Sequence, residues 1–576
     1  MAKYSYTRRG SILTPSDRSE SPPPPYSSLP AGSSSSSPRG PSEQTPLIRT
    51  KIQQRQVHIN IQRPPYTTPS YAPIGEWFIV ILFFLLFFLL SAAFIYFVPI
   101  FFGLIKSIFV SPPPPIHAIA IIGAGPAGIC AAQHLYHKAN ARGIHVNITI
   151  FESAPLIGGQ LALNSSTGSQ VFPYDDPTQD PIIAEDIAGT GLLWGNPLFS
   201  RASEKTLGDE VRTSEAGSQR VSYFNGDRVI AQTTRPYTKT PFFDWTGLIF
   251  QYGSSVWSAG AMAKQGAELQ DRLVDAPLVP DLAQLLISLG VFDYAKKSTG
   301  NELNDRGIGG GYVPEVLAPE VGRMYSQNVG DISALALMLA AGIEDTANAY
   351  EGGELLERLE MIVSAIGANV RESTEVRGVK YAQINEHEST WLVQYTTPSG
   401  RLQAEAFEKV ILAAPKFDLY RAASAEDVEA ASILAYRAAY VAFFTVPRRI
   451  DAYGDVNQVL FLENALGGVR ELAFVRDVVR VEDDGSSTVE YLYRALADSD
   501  AVEQLEQLNL GITWLYQEKL ENAYPFIYPS SRFLPFKLSD KGLWWTSAIH
   551  TIASTVDTSC LAGKIVAEQL INGLKR

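Results

Sequence analysis

The stretch Ile121-Ile122-Gly123-Ala124-Gly125-Pro126-Ala127-Gly128 decides the fold of this chain. It follows the largely apolar segment 116–122, which is predicted to be a β-strand, and it opens a segment with a helical pattern. Gly123 permits a tight turn, Gly125 lets the backbone approach a pyrophosphate, and Gly128 allows close packing of helix on strand. Glu152 ends the next apolar strand pattern, where its carboxylate can accept a hydrogen bond from a ribose hydroxyl. These features predict a dinucleotide-binding unit, with the phosphates at the helix N-terminus.

The pair Gly158-Gly159 follows shortly after Glu152. Such a pair is typical of FAD enzymes of the glutathione-reductase-like superfamily, so FAD is favoured over NAD. In that superfamily a C-terminal strand and helix return to the cofactor, and Asp557 lies in the first turn of such a helix pattern, where an acid is also a good helix cap. The predicted cofactor contacts are Gly123, Ala124, Gly125, Pro126, Ala127, Gly128, Glu152, Gly159, Gln160, Val376 and Asp557.

The pattern from residue 116 onward predicts an α/β fold. An FAD-binding Rossmann-like domain of the glutathione-reductase and amine-oxidase type is expected at 116–200, about 350–420 and 540–576. An α+β substrate domain is expected to be interleaved with it, at about 201–349 and 421–539. The glycine-rich run 307–311 follows a polar stretch rather than a strand, so it predicts a loop and not a second nucleotide site. With no evident NAD(P)H domain, the flavin is expected to pass electrons from substrate to oxygen, as in an oxidase.

Charge and cysteine content exclude several classes of protein. The 576 residues carry a formal net charge of −13, which disfavours nucleic acid as a partner. The two cysteines, Cys130 and Cys560, are too few for a disulfide framework or a zinc cluster. They are predicted to be two buried thiols. No metal site is expected.

Residues 1–76 are rich in Ser, Pro and Thr and predict a disordered tail. The segment 77–105 contains no charged residue and is long enough to cross a bilayer as a retained signal anchor. Because more basic residues precede this span than follow it, the tail is predicted to be cytosolic. The catalytic domain, joined by a Pro-rich linker at 106–115, would then be lumenal.

Short motifs in the tail gain meaning if it is cytosolic. Pro23-Pro24-Pro25-Tyr26 resembles a WW-domain ligand, and residues 43–48 resemble an acidic dileucine signal read by sorting adaptors. Together they favour delivery to a vacuole or lysosome. Asn164-Ser165-Ser166 is a glycosylation sequon that a lumenal domain could use.

The chain resembles the prenylcysteine oxidase (prenylcysteine lyase) family from about residue 118 to 570. Beyond the nucleotide fingerprint, the matching stretches are 158–162, 315–319 with 325–327, 351–353, 410–415, 523–525 and 543–559. It departs from the family at Gln160, where an arginine is usual, at His550, where a glutamate is usual, and at Val556-Asp557, where Met-Glu is usual.

The resemblance implies noncovalent FAD and oxidative cleavage of a prenyl thioether, with water and O2 consumed and a prenyl aldehyde, cysteine and hydrogen peroxide released. It assigns no catalytic residue. The aromatic segments 242–245 and 440–444 could line a prenyl pocket or could be core strands. Two other functions stay open: a flavin amine oxidase of the same fold, and a degenerate flavin-binding scaffold that acts through its tail.

Overall fold

The structure is a computed structural model that forms two compact units, Met1–Phe109 and Val110–Arg576. The described residues are 75–109, 115–162, 219–235, 239–345, 352–384, 389–415, 434–453, 456–481 and 484–574, with the short strands at 170–171, 182–183, 193–194 and 349–350. The tail motifs at 23–26 and 43–48 and the sequon at Asn164 lie outside them.

The first unit contributes one long helix, α1 (Gly75–Phe109). Its segment Ile79–Phe101 is long and apolar enough to cross a membrane. The side chains of this segment are exposed almost throughout. The predicted span 77–105 coincides with this helix.

The second unit alternates helices and strands. Its helices are α2 (Pro126–Arg142), α3 (Phe242–Tyr252), α4 (Ser255–Val274), α5 (Leu282–Ser288), α6 (Phe292–Lys296), α7 (Thr299–Arg306), α8 (Ala318–Tyr325), α9 (Ala334–Asp345), α10 (Gly352–Ile366), α11 (Val502–Gln507) and α12 (Val556–Asn572). Its strands are β1 (Ile116–Ile122), β2 (His145–Phe151), β3 (Gln170–Val171), β4 (Ile182–Ile183), β5 (Leu193–Trp194), β6 (Gln219–Phe224), β7 (Val229–Arg235), β8 (Ala349–Tyr350), β9 (Asn369–Arg371), β10 (Glu375–Gln383), β11 (Ser389–Thr396), β12 (Leu402–Phe407), β13 (Lys409–Leu412), β14 (Tyr436–Val446), β15 (Gln458–Phe461), β16 (Val469–Val481), β17 (Ser487–Ala497), β18 (Trp514–Pro525), β19 (Lys537–Ser539) and β20 (Leu543–Trp545).

A six-stranded sheet in the order β19-β20-β13-β1-β2-β9 carries the predicted nucleotide site. All neighbours are parallel except β19 and β20. In the central strand, Ile121 pairs with Ile150 on one side and with Ile411 on the other. Both faces of a parallel sheet are buried, which accounts for the continuous apolar run in β1. The predicted Rossmann-like α/β fold, with strands returning from residues 410 and 543, is confirmed.

A second sheet has seven strands in the order β18-β14-β17-β16-β15-β6-β7, and a smaller one joins β10, β11 and β12. The aromatic segment 440–444 lies in β14, where Val441, Phe443 and Phe444 are fully buried, so it belongs to the core. Residues 242–245 begin helix α3 instead of a strand. The hypothesis of a core strand is wrong there, because the following residues through Tyr252 continue with helical spacing.

The prediction of two buried thiols is wrong, because Cys130 and Cys560 form a disulfide with a Cα–Cα distance of 5.2 Å. Cys130 lies in α2 and Cys560 in α12, which pack closely because Gly563 has no side chain. A Cβ there would lie 2.3 Å from the Ala127 carbonyl oxygen. The cysteines are 430 residues apart in sequence, so no local pattern could pair them.

Candidate functional site

Steric crowding allows only glycine at two positions of the turn after β1. Gly123 has a φ of 106°, and its N–H donates to the Phe151 carbonyl at 2.8 Å. A Cβ on Gly123 would lie 2.5 Å from the Ala413 carbonyl oxygen, and one on Gly128 would lie 2.0 Å from the Gly123 carbonyl oxygen. Real Cβ atoms do not approach that closely, so only glycine fits at either position.

Helix α2 begins at this turn and points its first N–H groups out of the helix. Gly125 is the N-cap, Pro126 the first helical residue, and Ile129 N–H already bonds to the Gly125 carbonyl at 3.0 Å. Proline has no N–H, which leaves those of Ala127 and Gly128 without an acceptor inside the helix. Backbone N–H groups and the helix dipole at this end favour an anion such as a pyrophosphate.

A second glycine turn, at 158–159, contacts the first through backbone atoms alone. Gly158 and Gly159 have positive φ values of 122° and 58°, and Gly158 N–H donates to the Ala124 carbonyl at 2.9 Å. A Cβ on Gly159 would lie 3.1 Å from the Gly125 Cα. The two bare backbones form a cradle that side chains would fill. The residues therefore fit the phosphates of a dinucleotide.

Glu152 lies at the end of β2 and is 5% exposed. Its Oε2 accepts the Ala124 N–H at 2.8 Å, while Oε1 accepts the Ala154 N–H at 2.9 Å and the Ser153 hydroxyl at 3.2 Å. A carboxylate has about four acceptor positions, so these three bonds hold the group in place and leave capacity for a ribose hydroxyl.

The other three predicted contacts lie in different surroundings. Val376 follows Thr374, whose N–H donates to the Glu152 carbonyl at 2.7 Å, so the fold brings the start of β10 to the acid. Asp557 is buried in the first turn of α12, where Thr555 is the N-cap. The Gln160 amide donates to the carbonyl of Asn522 in β18. That bond uses one of the two amide hydrogens, and contacts of all three residues with a cofactor stay predictions.

Sequence reasoning missed a partly buried pair, His550 and Tyr436. His550 Nδ1 and the Tyr436 hydroxyl are 2.9 Å apart. Burial lowers the pKa of His550 to about 4 and raises the pKa of Tyr436, so both groups are neutral near pH 7. The departure at Ala548-Ile549-His550 was the signal in the sequence, but nothing there indicated Tyr436 as its partner.

The short helix Thr546–Thr551 that carries His550 is bonded to the end of β13. The Ser547 hydroxyl donates to the Ala414 carbonyl at 2.9 Å. The end of β13 contacts the nucleotide turn as well, through Ala413 and Gly123. Within the described ranges, no three His, Cys, Asp or Glu side chains are grouped so as to hold a metal ion.

Comparisons with known proteins agree with this architecture. Residues 121–179 match the family model of the NAD(P)-binding Rossmann-like domain, and residues 276–575 match that of prenylcysteine lyase. The fold and its nucleotide turn, together with these matches, define an FAD-dependent oxidoreductase. Because the second match covers more than half of the chain, the protein belongs to the prenylcysteine lyase family.

The solved structures that resemble this chain share little sequence with it. A putrescine oxidase triple mutant redesigned in its cofactor binding is 14% identical with a TM-score of 0.48, and the match covers 80% of this chain and 100% of that one. A protein described as a protoporphyrinogen oxidase, from Exiguobacterium sp. 255-15, is 12% identical with a TM-score of 0.47, over 79% of this chain and 99% of that one. The search of curated proteins found no match.

Proposed function

We propose that this protein cleaves the thioether of prenylcysteine-like substrates. Membership of the prenylcysteine lyase family, through residues 276–575, is the observation that carries this proposal. The cradle formed by Gly125, Gly158 and Gly159 supports it, because the reaction requires a flavin held by its phosphates.

The overall reaction balances as one prenyl thioether, one water and one O2 giving one prenyl aldehyde, one cysteine and one hydrogen peroxide. The bond between prenyl C1 and sulfur breaks, C1 is oxidised to the aldehyde, and O2 gains two electrons and two protons. When bound, FAD would supply the two-electron redox chemistry between prenyl C1 and O2.

The chain's own residues bind and orient in this scheme. The N–H groups of Ala127 and Gly128 would donate to the pyrophosphate, and Glu152 would accept from a ribose hydroxyl. The Tyr436–His550 pair adds no charge near the start of α12, since burial keeps the imidazole neutral. Cleavage by hydride removal needs no strong base, and none is assigned.

Purified full-length protein in detergent provides the test. We expect flavin absorbance and, on farnesylcysteine, release of aldehyde, thiol and peroxide in a 1:1:1 ratio. Deuterium at prenyl C1 should slow turnover, because that carbon–hydrogen bond breaks. Peroxide release on putrescine but not on farnesylcysteine would favour an amine oxidase instead. Absence of flavin would favour a scaffold that acts through its tail.

We further propose that α1 spans a membrane with residues 1–74 in the cytosol and the catalytic domain in the lumen of a vacuole or lysosome. The excess of basic residues before α1 supports this orientation. The Cys130–Cys560 disulfide supports it too, because disulfides persist in oxidising compartments. The tail would then offer residues 23–26 to a WW domain and 43–48 to a sorting adaptor.

Protease protection in microsomes tests the orientation. Protease added outside should remove the tail and leave a protected fragment that begins near α1. Peptide N-glycosidase should shorten that fragment, and Asn164→Gln combined with Asn147→Gln, at the second sequon 147–149, should abolish the shift. Complete digestion of the domain by external protease would reverse the proposed topology.

A further inference from the structure

Helix α3 exposes an aromatic surface consisting of Phe242, Phe243 and Phe250. Phe243 is 83% and Phe250 92% exposed. They are seven residues apart, with Gly247 between them, so they lie on one face of the helix. Large exposed aromatic clusters of this kind indicate an interaction site.

The opposite face of α3 is fixed to the domain. Leu248 and Tyr252 are buried, the Tyr252 hydroxyl donates to Glu315 Oε2 at 2.7 Å, and its ring packs edge-on against Tyr312 at 5.4 Å. The aromatic surface is therefore presented by an anchored helix. It lies between residues 179 and 276, in the part of the chain that neither family model covers.

The sequence around this surface favours a lipid partner. Asp244 is the single charged residue of α3, and it pairs with Arg220 at 3.4 Å. Phe and Trp side chains are typical of the boundary between lipid headgroups and acyl chains. Moreover, only residues 110–115 separate α1 from β1, and six extended residues span about 20 Å at most. With α1 in a membrane, as proposed above, this linker limits how far the start of β1 can lie from the end of α1.

We propose that the aromatic surface of α3 inserts into the interfacial layer of the membrane that α1 is proposed to span. Prenyl thioethers partition into bilayers because of their hydrocarbon chain, and docking of α3 would let the enzyme take them from the lipid phase. The membrane contact rests on the proposed membrane span of α1, and this second step rests on the proposed thioether reaction.

Release from vesicles after cutting the tether tests the contact. The full chain is reconstituted in phosphatidylcholine vesicles with a protease site inserted within residues 110–114. After cleavage, the wild-type domain should sediment with the vesicles. Phe243→Gln combined with Phe250→Gln should raise the released fraction about tenfold. The matched control combines Ile287→Gln with Leu402→Gln, which are 62% and 68% exposed, and should behave as wild type.

Flavin content and thermal unfolding should be the same in all three proteins, since the altered side chains are exposed. The proposal is overturned if the wild-type domain is released on cleavage, if the double variant stays bound, or if the released wild-type domain is a dimer that the variant breaks, since the surface would then bind a second copy.

Turnover separates this inference from the proposed function. On farnesylcysteine in vesicles, the double variant should show a severalfold higher apparent KM than wild type. In detergent micelles the two should be equal. Failure of turnover in both preparations would refute the thioether reaction, while the sedimentation result would still decide the membrane contact.

Discussion

The nucleotide turns and the helix pair α2–α12 support the same sheet, but they are built in opposite ways. The turns at 123–128 and 158–159 are close in sequence, and contacts as short as 2.0 Å to any added Cβ specify glycine. The helix pair joins residues 430 positions apart through a disulfide. Steric limits at the turns shape a binding site, whereas the link between the helices ties the end of the domain to its beginning. Damage to the turns should therefore abolish cofactor binding, and damage to the pair should lower stability alone.

Gly128→Ala should have the largest effect. Its Cβ would meet the Gly123 carbonyl oxygen, so the turn must move, at a cost of about 3 kcal/mol or more. We expect loss of flavin and a lower Tm in thermal unfolding. The control is Gly260→Ala in α4, where nothing lies within 4 Å of an added Cβ and the change should be neutral or stabilising. Equal flavin content in both variants would contradict the steric argument.

Removing the disulfide should come next. Cys130→Ala with Cys560→Ala should lower the free energy of unfolding by about 4 kcal/mol, because the cross-link restrains a long unfolded chain. Flavin stoichiometry at low temperature should stay at the wild-type value. Each single variant should lose as much stability as the double, since either one removes the bond. Loss of flavin from the folded double variant would show that the helix pair is also needed for cofactor binding, which contradicts the expected difference from the turns.

His550→Asn should change the pH dependence of stability. Burial lowers the pKa of His550 to about 4, so below its ordinary value of about 6.5 the unfolded chain binds a proton that the folded one does not. Stability from this group is present above that value and is lost as pH falls; between about pH 7 and about pH 5 the loss should be about 2 kcal/mol.

Asparagine can still accept the Tyr436 hydroxyl and carries no titrating group, so the variant should lose less stability over that pH interval. Thermal unfolding across the pH series measures it. The exposed His145→Asn serves as control. A pH profile of His550→Asn identical to that of wild type would show that the imidazole does not titrate in this way.

Glu568→Gln should have the smallest effect. In α12, Glu568 contacts His134, Lys138 and Arg142 of α2 at 2.9, 3.2 and 3.1 Å. Burial opposes ionisation, but the bonds from His134 and Lys138 outweigh it and lower the pKa of Glu568. Partly exposed pairs of this kind contribute about 1 kcal/mol.

The advantage of wild type over Glu568→Gln should be present above the ordinary carboxyl pKa and should vanish as pH falls through the lowered value. Denaturant unfolding at neutral and acidic pH measures both ends. A difference that persists in acid would mean that packing, and not charge, holds Glu568.

Much of the predicted nucleotide site could be inferred from the sequence, because the residues that indicate it are close together in the chain. The apolar run of β1, the glycines and Glu152 follow one another within one strand-turn-helix-strand unit, and the structure forms that unit with Glu152 bonded to the turn. The hydrogen bond of Gln160 could not be predicted, because its partner Asn522 lies in β18, far away in the sequence. The partition into two domains stays a prediction, as do the atoms of FAD that each residue contacts.

The sequence by itself determined the α/β fold, the long apolar helix α1 and the glycine turns, because periodicity and steric limits act between neighbours in the chain. Only the tertiary structure decided that Cys130 meets Cys560, that His550 meets Tyr436, and that α3 turns its aromatic side chains outward. Those contacts join residues far apart in sequence or depend on which helix face the core covers. Neither the long-range partners nor the buried helix face can be predicted from a local sequence pattern, because both depend on how the whole domain packs.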